Sequence, residues 1–248
     1  MFSAPGTYPA CGMFVPAHFI AMFICFALVI TWVVLSRKLS KEQITKVIRV
    51  VAIIITVLEI VKIIFNIYHE GIKYPNNFIP LHFCSLFIYS LWFTGYGKGV
   101  IKKVGESFLS GACIIAGGFF LILPSTSLQL YPIFHFQCIY SLLFHSLMLY
   151  FGLMYFIKGF FELSFKNYLY YVVYCTITCI IAFTINYFLK TNLMFIENPW
   201  GLPIELLHTI RDKSLIAYAL IIYIAYSVLV YLPTMGVRKL IFMKERKN

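Results

Sequence analysis

Charge is scarce in this chain, and acidic charge is scarcest. Only 12% of its 248 residues are charged, with 9 Asp and Glu against 20 Lys and Arg. There is no Gly-rich phosphate loop, no nucleic-acid motif and no basic helix long enough to read a groove. The net charge of +11 therefore points away from nucleic acid as a partner. Met1 to Gly12 contain no Lys or Arg, so the charged head of a cleavable signal peptide is missing and the first span is expected to be retained. The seven cysteines are odd in number and lack framework spacing; Cys175 and Cys179, one helical turn apart, read as buried filler rather than metal ligands. No low-complexity segment and no convincing internal repeat is present, which weighs against an inverted-repeat transporter.

What is present is apolar. Hydrophobic residues make up 61% of the chain, aromatics 19%, and the mean hydropathy is +0.88. Repeated runs of about 20 apolar residues are the signature of transmembrane helices. The expectation is an all-α polytopic membrane protein, one domain over residues 1–248, with seven spans. They run Phe14–Ser36, Lys46–Tyr68, Pro80–Tyr96, Val104–Leu123, Ile133–Lys158, Phe165–Leu189 and Ser214–Val237. The seventh holds no lysine, which excludes a retinal Schiff base there.

Basic residues crowd alternate connections: Arg37 to Arg49, Lys98 to Lys103, Lys158 and Lys166, and a tail that includes Arg238, Lys239, Lys244, Arg246 and Lys247. The other connections are nearly bare. The positive-inside rule then puts the N-terminus outside and the C-terminus in the cytoplasm of a cell membrane crossed several times. The long sixth connection carries the turn sequence Asn198-Pro199-Trp200-Gly201-Leu202-Pro203 and a short amphipathic helix expected over Ile204–Ile210, capping the bundle from outside.

Polar residues inside the spans are the candidate site. Cys84 precedes Lys98 by fourteen residues, His145 precedes Lys158 by thirteen, and Lys62 follows Arg49 by thirteen. At about 1.5 Å per residue all three fall roughly 20 Å from the cytoplasmic edge, in one layer. Glu59, Lys62, Asn66 and His69 share one helical face. A lone charge at that depth costs roughly 2.5–3.5 kcal/mol, so a Glu59–Lys62 pair reads equally as a self-neutralising orientation device and as a head-group contact. His135 reads as an interfacial or satisfied imidazole. Cys84 alone reads as packing; beside an imidazole it is a nucleophile–base pair suited to acyl transfer through a thioester.

The order of these landmarks resembles the YwaF family of bacterial integral membrane proteins, whose animal relative is transmembrane protein 164. The resemblance rests on His18, on Glu59 with Lys62, on Pro80-Leu81-His82-Phe83-Cys84, and on Gly117-Gly118 before Leu123-Pro124-Ser125. It continues with His145, Asn186 and Asn192. The usual Asn-Tyr-Met appears here as Asn192-Leu193-Met194, and the proline-tryptophan-tyrosine pattern of the last span is absent.

The resemblance implies a seven-helix membrane protein with a Cys–His pair. It is the animal relative that is regarded as a phospholipid acyltransferase working through an acyl-cysteine. Carried over, Cys84 is the nucleophile, His145 the general base and His82 an orienting or oxyanion-stabilising neighbour. Glu59, Lys62, Asn66, His18, Asn186 and Asn192 are candidate substrate-binding residues. No cofactor or metal is expected, and membrane phospholipid is both surroundings and candidate substrate. Two activities compete: a phospholipid acyltransferase or lipid hydrolase centred on Cys84, and a solute-binding permease with a polar cavity around Glu59, Lys62 and His145. A sensor or assembly partner without chemistry, and an imidazole metal site of His18, His82 and His145, are further readings.

Overall fold

Apolar runs without strand punctuation fold here as helices, and every regular element among the described residues is helical. The computed structural model describes residues 1–124, 126–199 and 204–245. Ser125, the turn residues Trp200 to Pro203, and the basic Arg246 and Lys247 lie outside the described residues. The helices are α1 (Pro16–Ser36), α2 (Lys41–Glu70), α3 (Leu86–Tyr96), α4 (Gly99–Gly111), α5 (Cys113–Ile122), α6 (Phe136–Lys158), α7 (Phe165–Leu189), α8 (Glu205–Lys213), α9 (Leu215–Ile224) and α10 (Leu232–Glu245).

Among the described residues four helices are long and apolar enough to cross a membrane: α1, α6, α7 and the α9–α10 run. The pair α4 and α5, bent by 45°, makes a fifth if taken as one broken span. Their outward faces carry Phe23, Leu35, Ile180, Phe188 and Ile216, all more than half exposed. Apolar side chains on that scale face hydrocarbon, not water. The helix α6 is the axis. Most of it is buried, and it packs against α1, α2, α4 and α5.

Helix ends follow local chemistry. A capping box starts α2 at Lys41, five residues before the expected Lys46: Ser40 Oγ accepts from the Gln43 amide and Gln43 Oε1 accepts from the Ser40 amide. His135 and Ser164 cap α6 and α7, and Gly159 ends α6 in the left-handed region. The expected amphipathic helix forms as α8, with no buried residue.

Three expected spans are not continuous helices. The third, expected from Pro80, is helical only from Leu86; Pro80 has no amide hydrogen and biases Ile79 away from helix, so Pro80–Ser85 runs as turns. The fourth breaks at Ala112, where the neighbouring Gly111 lies directly against the Tyr231 ring, so that a side chain there has no room. The last contains a π-helical stretch, Ala225–Leu229. Its loosened carbonyls are taken up by tyrosines, since Tyr168 donates to Ser227 O at 3.0 Å and Tyr171 to Tyr226 O.

The crossing of α5 and α6 depends on Gly117, where an added Cβ would fall 2.8 Å from the Leu149 amide nitrogen and 2.9 Å from the His145 carbonyl. These are backbone atoms and do not yield. Gly118, next to it, faces open space. Gly117→Ala is expected to lower stability by about 1–3 kcal/mol through overpacking. Gly118→Ala should be neutral or stabilising by up to about 1 kcal/mol through helix propensity. Denaturant unfolding in detergent micelles separates the two.

Candidate functional site

The face of α2 that holds its ionisable residues turns toward α6, because neither charge is tolerated against lipid. Glu59 is 5% exposed, and its Oε1 lies 2.7 Å from Lys62 Nζ. Its other oxygen accepts a hydrogen bond from the Tyr140 hydroxyl at 2.6 Å, and Lys62 sits 5.9 Å from the Tyr140 ring centre. One turn further, Asn66 accepts from Gln137 Nε2 at 2.6 Å and donates to Asn77 O. His69 packs its ring on Phe65. The expected pair exists, and α6 supplies two partners for this face, Tyr140 and Gln137, that the sequence did not single out.

The turns of Pro80–Ser85 bring the thiol to the start of α3. Cys84 is half-buried, its carbonyl accepts from the Phe87 amide, and Ser85 is the cap residue of α3. His82, two residues earlier, points Nε2 at the Asn76 carbonyl, 3.3 Å away. A carbonyl only accepts, so Nε2 carries the proton and Nδ1 holds the free lone pair. That Nδ1 is buried without a hydrogen-bond partner.

His145 repeats the arrangement from α6. Its Nδ1 lies 2.7 Å from Ser141 O and so donates, leaving Nε2 as a buried acceptor without a partner. The ring is fixed by a stack on Phe120, centroids 3.5 Å apart. Lys62 lies on the facing helix α2, where its ammonium pairs with Glu59. Among the described residues no hydrogen bond joins the Cys84 thiol to either imidazole. The elements at hand are a thiol, two basic nitrogens without donors and one ammonium.

The other expected residues have structural partners. His18 accepts from the Phe14 amide at Nδ1 and donates from Nε2 to Leu121 O, tying α1 to α5. His135 likewise accepts from Gln137 N and donates to Ser3 O. Asn186 takes hydrogen bonds from Thr191 Oγ1 and Leu193 N and donates to Leu193 O. Asn192 accepts from the amides of Glu197 and Asn198, and its own amide donates to Asn76 Oδ1. These two asparagines shape the loop that lays Phe195 against the His82 ring. Among the described residues no cluster of His, Cys, Asp and Glu is arranged to hold a metal.

A groove of about 200 Å³ opens on the membrane-facing side between α2 and α3, lined by Thr56, Glu59, Ile63, Pro80, Tyr89 and Trp92. Its walls are apolar and Glu59 is its acidic element. It reaches the carboxylate rather than Cys84 itself. A second apolar groove, about 360 Å³, lies between α7 and α9 beside Cys179 and Ile196. A second buried acid, Glu106, pairs with Lys41 at 2.7 Å. A carboxylate inside an apolar run was the signal for it.

Lys62→Met strips Glu59 of its cation while leaving the carboxylate buried. The expected loss is about 3 kcal/mol, the low end for breaking a buried pair, because the Lys62 side chain is 26% exposed. Adding Glu59→Gln should recover most of it, and a double-mutant cycle on unfolding in micelles reads the coupling.

Neither a curated protein nor a solved structure matches the chain. The model of the TMEM164 family matches residues 13–236, a stretch that runs from the strap before α1 into α10 and takes in Glu59, Lys62, His82, Cys84 and His145. The chain is a membrane protein of the TMEM164 family.

Proposed function

We propose that this protein transfers or hydrolyses the acyl group of a membrane phospholipid through a thioester on Cys84. The observation that carries the reading is the pair of imidazoles whose basic nitrogens, His82 Nδ1 and His145 Nε2, are buried without donors. The hydroxyls of Ser90, Thr94, Ser127, Tyr155 and Tyr231 are buried without partners as well, so what sets the two imidazoles apart is their basicity. Cys84 is the proton source this reading assigns to them, and contacts of this kind often tighten only when substrate is bound.

The chemistry follows from those groups. Cys84 Sγ attacks the ester carbonyl carbon while its proton passes to an imidazole nitrogen. The C–S bond forms, the ester C–O bond breaks, and the imidazolium returns the proton to the departing alkoxide, releasing a lyso-lipid. A second hydroxyl, from an acceptor lipid or water, then attacks the thioester and restores the thiol. Lys62 has three ammonium hydrogens and only one carboxylate partner in Glu59, so it holds a donor for a phosphate. The apolar groove between α2 and α3 suits an acyl chain arriving from the bilayer.

This reading uses a seven-pass topology in the cell membrane. The helix α2 crosses despite its charges, and α3 crosses together with Pro80–Ser85. The N-terminus lies outside and the C-terminus in the cytoplasm, as the basic connections favour. The whole chain is then one membrane domain. A solute-binding permease is the second reading, favoured by the break at Ala112 and the π-helical stretch, since broken helices line substrate paths in transporters.

Intact-protein mass spectrometry on the chain purified from lipid decides between them. A fatty-acyl increment that hydroxylamine removes, and that Cys84→Ala lacks, is the expected result. His82→Gln and His145→Gln should each slow turnover by about 10²–10⁴-fold if the imidazole is the general base. No adduct, no labelling of Cys84 by a thiol-reactive probe, and a solute-uptake defect in Lys62→Met would transfer the assignment to the permease.

A further inference from the structure

The N-terminal residues form a strap across one end of the bundle, and the strap carries a cysteine to a second cysteine. Phe2 stacks on Phe136 at 4.9 Å, Met1 O accepts from the Phe136 amide, and Ser3 O accepts from His135 Nε2. Further on, the Gly12 amide donates to Leu128 O. Cys11 N and Cys138 Sγ converge on a single oxygen, Tyr131 O, at 3.0 Å and 3.6 Å. The two thiols pack into one small apolar cluster with Phe65, Leu128 and Tyr131, separate from the main core. Cys11 is half-buried and Cys138 fully buried.

We infer that Cys11 and Cys138 are a disulfide-forming pair that clamps the strap over the outer end of α2 and α6. The inference rests on the outward orientation of the N-terminus proposed above, and not on the acyl-transfer chemistry. Both residues stand as thiols in this structure. Cys11 is the accessible partner. Its thiolate attacks the disulfide of an extracytoplasmic dithiol oxidant to give a mixed disulfide. The Cys138 thiolate then attacks Cys11 Sγ, the Cys11–Cys138 bond forms, and the oxidant leaves as a dithiol carrying the two electrons and the two thiol protons. Cys84 and Cys113 also lie near each other, but on α3's start and α5 within the packed core, away from a soluble oxidant.

The clamp has a consequence for the site beneath it. Phe2 and Phe136 lie beside Phe65 and Gln137, and Gln137 holds Asn66 one turn beyond the Glu59–Lys62 pair. A covalent strap therefore closes that end of the polar face of α2 to water.

The test starts from membranes of cells quenched in acid and N-ethylmaleimide, so that thiol exchange stops at harvest. Chymotryptic peptides containing Cys11 and Cys138 are expected joined by a bond that reductant breaks, and Cys11→Ser should return Cys138 alkylated. Dithiothreitol should lower the unfolding temperature of the native protein by several degrees and leave the Cys11→Ser/Cys138→Ser variant unmoved. Recovery of both native cysteines alkylated without reduction would overturn the pair. Orientation is read separately: in Cys138→Ser, a membrane-impermeant maleimide should label Cys11 in intact cells. Labelling only after permeabilisation would remove the oxidant from reach and defeat the inference, while leaving the chemistry at Cys84 to its own test.

Discussion

A backbone carbonyl or amide at membrane depth has no water to turn to, so any departure from helix must find its hydrogen bonds within the protein. This chain departs from helix within three of its apolar runs, and each time a nearby side chain or local turn takes up the loose groups. The turns of Pro80–Ser85 close on themselves through the Ser85, Leu86 and Phe87 amides, and the Tyr89 hydroxyl covers Pro80 O at 3.0 Å. The π-helical stretch before α10 is served by Tyr168 and Tyr171. At the bend between α4 and α5 the helical ladder carries across, from Ala112 N to Phe108 O and from Ala116 N to Ala112 O. Three of the 18 tyrosines, Tyr89, Tyr168 and Tyr171, meet this demand, since phenols extend hydrogen bonding into apolar packing.

The same constraint sorts the buried polar residues into two kinds. His18, His135, Asn186 and Asn192 use the hydrogen-bonding groups described for them on protein partners, and each fixes a connection between elements. His82 and His145 spend one nitrogen on a carbonyl and leave the other unmatched. Placement of six imidazoles in a membrane protein says little by itself. The difference between satisfied and unsatisfied rings is what singles out the neighbourhood of Lys62.

The helical class, the limits of α7 and the charged face of α2 were legible in the sequence because hydrophobic run length and a spacing of three and four residues are local signals. Phe165–Leu189 forms as read, and Glu59 meets Lys62 as read. The failures have physical reasons. Hydropathy is blind to backbone geometry, so Pro80–Ser85 and the break at Ala112 passed as continuous apolar run. Partners on other helices carry no local mark either: Tyr140 and Gln137 look like ordinary residues of α6 until the fold sets them against Glu59 and Asn66. Asn186 and Asn192 entered through the family resemblance alone, and in the structure both hydrogen-bond within the loop they flank.

Lys62 belongs to a group of three rather than to a pair. Glu59 is held twice, by the ammonium and by the Tyr140 hydroxyl, so it does not depend on one partner alone. On the proposed reading a phosphate would compete for the cation while Tyr140 keeps the carboxylate hydrogen-bonded. The desolvation cost of the pair is met on folding rather than on binding, which is the condition for a preorganised site. An isolated ion pair without the tyrosine would lose its acid's only partner whenever the lysine turned to a ligand. The third member makes the difference between a pair that merely orients α2 and one that is free to engage.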